Sequence, residues 1–206
     1  MFAIVESGSI TSMPKGNKGV QIGDIKHPAD IFGSKWTEAE RNAIGVYTIE
    51  IDESNRKDTK WYVNTNITYT FSGGKVTGTY GTATAKAHAD TKWTQSEIDA
   101  GNAPAGADTN TVKEEGLKTQ LIRSVKAQAE GILNQTDWYV TRKAEKSTAI
   151  PSAITTHRDA VRTKQAEMET AITNAADTPA LETLYTYTEQ EDKSVTRPLG
   201  ELPTLS

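Results

Sequence analysis

The chain contains no cysteine among its 206 residues. That absence removes disulfides, thiol nucleophiles and the usual structural zinc sites together, so a metal could enter only through histidine and carboxylates. No apolar run approaches the ~20 residues needed to cross a bilayer, and no membrane insertion is expected. The start, Met1-Phe2-Ala3-Ile4-Val5-Glu6, lacks the basic opening and long apolar stretch of a secretion signal, so synthesis and folding in a cytoplasm are expected. Core material is scarce as well: 35% of residues are apolar and 24% charged, a lean globular composition that suggests support from partners. The net charge of −4 is spread with both signs mixed. No basic stripe is left to neutralise a row of phosphates, and nucleic acid is not an expected ligand.

What the chain does have in its first 86 or so residues is β-branched and aromatic side chains punctuated by glycine, the pattern of short antiparallel strands joined by tight turns. Phe2 to Glu6 and Val20 to Ile25 are candidate strands. Tyr47 to Asp52 alternates apolar and polar, which predicts Tyr47, Ile49 and Ile51 on one buried face and a polar, wet face opposite. Ile67 to Tyr80 reads as a hairpin turning at Gly73-Gly74, because primed turns need positive φ. One short helix is predicted over Thr37 to Asn42, where Thr37-Glu38-Ala39-Glu40 has capping-box spacing and Gly45 can end it.

Ala89 to Asn110 carries Gly101, Pro104 and Gly106 and reads as an irregular connector or a flexible linker. Beyond it, Thr111-Val112-Lys113-Glu114 has capping-box spacing again, and Leu117, Leu121, Val125 and Ile132 draw one apolar stripe down a helix to about Gln135. A second helix is expected from Pro151 through Ile154, Val161, Met168 and Ile172 to about Ala175, with a narrow stripe interrupted by His157, Lys164 and Gln165. A third, short one is expected from Thr178-Pro179 through Leu181, Leu184 and Tyr185, then an extended tail over 193–206. The expected class is therefore α+β: a small antiparallel β-rich N-terminal domain followed by a C-terminal helical hairpin. Its parts are a head over 1–88, a connector over 89–110, the hairpin module over 111–188 and a tail over 189–206. The hairpin's seam is too thin to stand alone, so it is expected to dock on the head or on copies of itself.

Chemistry-bearing constellations are not found. His27, His88 and His157 lie far apart and outside any metal-binding spacing. No serine sits in a nucleophile-elbow pattern, and the glycine pairs lack phosphate-loop spacing. Carboxylate neighbours such as Glu38 with Glu40 read as solvated faces, and Asp52, Asn55 and Asp58 as a turn rather than a calcium loop. No catalytic residue, cofactor or metal is assigned, and the chain is not expected to be an enzyme. One segment stands apart. Thr136-Asp137-Trp138-Tyr139-Val140-Thr141-Arg142 sets two aromatics beside an acid and an arginine, residue types enriched in interface hot spots. The plainer reading has Trp138 anchoring an interhelix loop.

Here the chain resembles a known family. A helix ending in Ile132-Leu133-Asn134-Gln135-Thr136-Asp137-Trp138, then Pro151 and His157-Arg158-Asp159-Ala160-Val161-Arg162, looks like the C-terminal module of tailed-bacteriophage tail assembly chaperone and tail-fibre-associated proteins. In that family a threonine-aspartate-tryptophan helix end precedes a tyrosine-arginine-x-alanine-leucine-arginine helix. The resemblance covers residues 115 to 172, and departs from the pattern at His157, where tyrosine is usual, and at Val161. The N-terminal part, with Pro28 to Phe32, Trp36 and Glu40 to Tyr47, is similar to heads of small marine-phage proteins that accompany tail or fibre genes.

The resemblance implies a non-enzymatic virion tail or tail-fibre-associated protein, binding tail or fibre subunits in a homo-oligomeric or symmetric assembly. Its contacts are expected at Asp137, Trp138, Tyr139, Arg142, Arg158 and Arg162. One alternative is an assembly chaperone absent from the mature particle. Another, from a different class, is a glycan-binding receptor-recognition module using Trp36, Trp61 and Trp93.

Overall fold

In the computed structural model, which describes residues 1–16 and 18–205, the chain is α+β, β-rich at the N-terminus and helical at the C-terminus. It divides into two units, Met1–Thr84 and Ala85–Ser206.

In the first unit the strands are β1 (Phe2–Glu6), β2 (Ser9–Ser12), β3 (Val20–Ile22), β4 (Ile25–His27), β5 (Val46–Asp52), β6 (Tyr62–Val63), β7 (Ile67–Ser72), β8 (Lys75–Tyr80) and β9 (Thr84–Ala85). A 3-10 turn (Ala29–Phe32) and α1 (Glu38–Ala43) lie between β4 and β5. Five strands form one sheet in the order β2-β1-β5-β8-β7, while β3 pairs with β4 and β6 with β9. The β7–β8 hairpin forms where Gly73-Gly74 predicts it, with φ of 58° and 77° at the two glycines. Because that hairpin reverses the chain, β8 returns parallel to β5, pairing Ile49 with Val76. The sheet therefore departs from the all-antiparallel expectation at one pair.

Burial explains two further departures. Ala3, Ile4 and Val5 are buried in succession, so β1 is covered on both faces. Ala3 and Val5 pack with Ile49 and Val76 on one side. Ile4 packs with Val46 and Ile31 on the other, under Trp36 and Ile44. The face of β5 expected to be wet thus begins with a fully buried Val46. Ile51, expected inside, is 38% exposed, because the strand runs on past the core towards the polar Asp52-Glu53 corner. The Val20 to Ile25 strand is instead the β3–β4 hairpin, turned at Gly23 with φ 56°. The Thr37 capping box forms as predicted, with Thr37 Oγ1 accepting from the Glu40 amide at 3.3 Å and Glu40 Oε2 accepting from the Thr37 amide at 2.8 Å.

The second unit contains β10 (Thr91–Lys92), α2 (Gln95–Asp99), β11 (Val112–Glu114), α3 (Leu117–Asn134), α4 (Asp137–Lys146), α5 (Ser152–Asn174), α6 (Thr178–Tyr185), β12 (Thr188–Glu189) and β13 (Val195–Thr196). Residues 89–110 thus hold a strand and a capped helix; the cap is Thr94 with Glu97. Thr111 does not start a helix. Its hydroxyl donates to Asp108 Oδ1 at 2.9 Å and accepts from the Asp108 amide at 3.0 Å, and the residues after it pair with β10. The local turn consumes the group that a helix cap would need.

The α3 helix begins instead after Gly116, and its first amides are satisfied from outside the helix. Gly116 N–H donates to Asp90 Oδ1 at 2.7 Å, and Leu117 and Lys118 N–H to the Ala87 and His88 carbonyls, each at 3.0 Å. Position 116 admits only glycine, since a Cβ there would overlap the Ala89 carbonyl. Hydrogen bonds from Thr119 and then Gly116 hold the Asp90 carboxyl below the usual aspartate range, so Asp90 acts as a remote anionic cap.

α3 and α5 run antiparallel, tied by Lys118 Nζ to the Thr173 carbonyl at 2.8 Å and Lys126 to Glu169 at 3.3 Å. Between them lie the predicted Leu117, Leu121, Val125, Ile154, Val161, Met168 and Ile172, all buried, together with Ala129. Pro179 sits in the first turn of α6, as expected. The 193–206 tail is not simply extended: β12 and β13 form a small hairpin, and Leu199 is buried with its amide on the Leu184 carbonyl at 3.0 Å. Leu199 and the Arg197 guanidinium, stacked on Tyr185 and Tyr187, hold the segment back against the helices. No helix among the described residues is long and apolar enough to cross a membrane.

Glu97 carries the unit's clearest titration signature. The Lys113 ammonium, then the Thr94 hydrogen bonds, pull its carboxyl from an ordinary 4.5 to about 2. A depressed folded-state pKa gives a contribution to stability that is complete above the unfolded value and lost as pH falls through about 2. Carboxyl NMR titration should therefore place the Glu97 midpoint near 2 in the native chain and nearer the unperturbed value after Lys113→Met; an unshifted native midpoint would refute the pairing.

Candidate protein-contact site

The α3–α5 pair ends at a corner that is built from polar atoms. Thr136, 2% exposed, hydrogen-bonds back to the Leu133 carbonyl through both its amide and its hydroxyl, each at 3.0 Å. That carbonyl is one of the last in α3, where helices leave acceptors without intrahelical donors. Arg158, from the first half of α5, reaches into the corner with its side chain only 10% exposed. Its Nη1 donates to the Leu133 carbonyl at 2.8 Å and to Thr136 Oγ1 at 2.7 Å, and lies 2.8 Å from Asp137 Oδ1. One guanidinium thus satisfies the end of α3, fixes the turn and pairs with the first residue of α4. Asp137 also sits where a helix N-terminus favours negative charge.

The structure corrects the interhelix loop expected around Trp138. Asp137 to Lys146 is a ten-residue helix, closed by Ser147 in the left-handed conformation at φ 52°. None of its residues is buried, although isolated helices shorter than about 12–15 residues are marginal in water. Trp138 is 52% exposed, so it does not serve as an anchor sunk into a core. Its ring centroid lies 3.7 Å from that of Tyr139. Arg142, at i+4 and i+3 from the two aromatics, places its guanidinium 4.8 Å from the Trp138 ring and 5.2 Å from the Tyr139 ring. Arg142 Nε is shielded from solvent and has no hydrogen-bond acceptor, and among the described residues no carboxylate pairs with this guanidinium. The result is a cation seated on an aromatic platform and free of any carboxylate partner among the described residues.

Six residues were expected to form the contact site. Asp137 and Arg158 meet in the corner, Trp138, Tyr139 and Arg142 meet on α4, and Arg162 joins neither group: it is exposed and pairs with Asp159 at 3.3 Å. Sequence reasoning placed Thr136 within the motif but missed its burial and its role as an Arg158 acceptor. A partial signal was available, since a basic side chain can bond the last carbonyls of a helix, but nothing local in the sequence brings Arg158 of α5 to the end of α3. His157 is buried, as a packed histidine should be.

Elsewhere the candidate chemistry is taken up locally. Asp52 and Asp58 each accept a backbone amide two residues on, at 2.9 and 2.8 Å, and Asn55 donates to the Tyr80 carbonyl at 2.9 Å, which accounts for these residues as turn formers. Trp61 is 3% exposed, Trp36 is half-buried against the Ile4–Ile31–Val46 cluster, and the half-buried Trp93 lies under the Lys113 ammonium at 5.0 Å. None of the three offers a fully open ring face for a sugar. No group of three or more His, Asp or Glu side chains converges on a metal-sized site among the described residues.

No protein-family model matches the chain, and neither a curated protein nor a solved structure matches it.

The corner makes a quantitative expectation. Arg158→Met should destabilise the second unit by about 2–3 kcal/mol, because it removes two hydrogen bonds donated by a nearly buried guanidinium, one of them to the oxygen of the buried Thr136 hydroxyl. Asp137→Asn, at a half-exposed site, should cost no more than about 1 kcal/mol. Denaturant unfolding of both variants checks the order, and equal losses would refute the assignment of Arg158 as the central partner.

Proposed function

We propose that the chain is a non-enzymatic tail or tail-fibre-associated protein of a tailed bacteriophage, acting through protein–protein contacts made by the α4 face. One observation carries this reading. The two short motifs of the resemblance, Thr136-Asp137-Trp138 and Arg158-x-Ala-x-Arg162, lie 22 residues apart in the chain and are joined by Arg158, which bonds to the buried Thr136 hydroxyl and pairs with the half-exposed Asp137. A spacing that is only a pattern in sequence thus has a physical reason, which is what a shared structural module requires. The helix that starts from this corner carries the exposed Trp138 with the partly buried Tyr139 and Arg142 stacked beside it. Tryptophan, tyrosine and arginine are the residue types that dominate binding energy at protein interfaces.

The localisation that follows is the virion tail, with tail or fibre subunits as partners. Mass spectrometry with copy-number determination on purified particles of the encoding phage tests it. A stoichiometric signal at a symmetry-compatible copy number supports a virion subunit. Abundance in infected cells together with absence from particles supports the assembly-chaperone form of the same reading. Absence from both the particles and any complex with tail proteins in infected cells overturns it.

A further inference from the structure

The second unit carries two exposed elements of opposite character. Among the described residues of this unit six large apolar side chains are exposed, and besides Val112 and Leu205 they are Trp138 and Val140 on α4 and Tyr187 and Val195 at the base of the β12–β13 hairpin. Four of the six therefore sit on two short elements, neither of which has a buried residue of its own. Their charges are complementary. With Asp137 taken by Arg158, α4 presents Arg142, Lys143 and Lys146 against Glu145 alone. The hairpin presents Glu189, Glu191 and Asp192 against Lys193. Lys193 pairs with Glu189 at 3.0 Å, which leaves Glu191 and Asp192 at the tip. No hydrogen bond or ion pair joins the two elements within one chain among the described residues.

The hairpin is short but well held at its root. Arg197 stacks against both Tyr185 and Tyr187, each ring centroid 5.2 Å from its guanidinium carbon, and pairs with Glu201 at 2.8 Å. Tyr187 donates to the same carboxylate at 2.6 Å. At the tip, Gln190 donates to the Thr188 and Thr196 side chains at 3.2 and 2.9 Å, and Ser194 donates to Asp192. A two-residue ladder with this much side-chain support is presented in a defined shape rather than frayed.

We propose that α4 docks the acidic β12–β13 hairpin of a second copy of this chain. Trp138 would cover Val195 and Tyr187, while Arg142, on the same side of α4 at i+4 and seated on its aromatic platform, would take a tip carboxylate in the two-pronged geometry that guanidinium favours. Such a contact joins two different surfaces, so it is heterologous: each copy donates a hairpin and accepts one, and the association closes into a ring or continues as an open series. The proposal rests on the reading of α4 as a protein-contact face, and names its occupant.

The test uses the purified full chain in sedimentation equilibrium. The unmodified protein should self-associate at about 100 μM or below, and added salt should weaken the association. Reversing α4 with Arg142→Glu and Lys143→Glu, or the hairpin with Glu191→Lys and Asp192→Lys, should each weaken association by about tenfold or more. A chain carrying all four changes should regain it, which also shows that the reversed elements remain folded. A native chain that stays monomeric at that concentration overturns the proposal, as does association indifferent to either reversal, or a four-change chain no better than the separate pairs. A monomeric chain that is still stoichiometric in particles would sink this contact alone; an associating chain absent from particles and tail complexes would sink the phage assignment instead.

Discussion

The Arg158 guanidinium meets three needs that would otherwise conflict at one corner of the helical unit. The Leu133 carbonyl at the end of α3 takes a further donor, the buried Thr136 hydroxyl takes one on its oxygen, and α4 opens with a carboxylate. An apolar side chain at 158 could fill the space but would give none of the three a donor. A lysine would carry the charge without the guanidinium's planar set of donors. The exposure of Asp137 keeps the ionic part of the interaction modest, so the hydrogen bonds to the two buried acceptors carry more of the stabilisation than the charge pair does. The direction in which α4 leaves α3 follows from this arrangement, and with it the placing of Trp138, Tyr139 and Arg142.

The rest of the helical unit uses the same economy of means. Its apolar seam is one stripe wide, so helix ends are fixed by polar staples: Asp90 and the Ala87 and His88 carbonyls at the start of α3, and Thr178 donating to the Lys86 carbonyl at 2.6 Å at the start of α6. A single strap, residues 86–90, thereby holds two helix N-termini. Had the seam been thicker, the helices could have been positioned by packing alone. With few large apolar residues, directional bonds do part of that work, and Gly116 records how closely the strap's backbone approaches.

Features decided by neighbouring residues were legible in the sequence. The Gly73-Gly74 hairpin, the Thr37 capping box, the α3 and α5 stripes and the Pro179 start of α6 depend on turn geometry, cap chemistry and period, all of which are local. What was not legible depended on competition or distance. The spacing at Thr111 suits a helix cap, but Asp108 captures the hydroxyl first, while the working box at Thr94 and Glu97 has the same spacing within a stretch whose glycines and proline suggested a linker. The double-sided burial of β1 and the parallel return of β8 follow from what packs across the sheet, which a two-residue alternation does not specify. The contact site divides in the same way: the residue types at 137–142 were conspicuous, but their helical conformation was not, because α4 has no apolar face turned inward for periodicity to detect.

That missing face bears on how α4 persists. A ten-residue segment without buried side chains gains little from its own chain beyond the Asp137 tie, the left-handed closure at Ser147 and the stacking of Arg142 on two rings. Each of these acts on one end or one face, so the helix is held rather than packed. A partner that covers Trp138 would add the apolar burial that the segment lacks, and one that carries a carboxylate would at the same time give the Arg142 guanidinium an acceptor. Stability of α4 and occupancy of its face are therefore thermodynamically linked: whatever binds there shifts the helix towards its folded form. Because Arg158 sets the corner within the chain itself, α4 leaves α3 in a defined direction whether or not its face is filled, which the proposed contact requires.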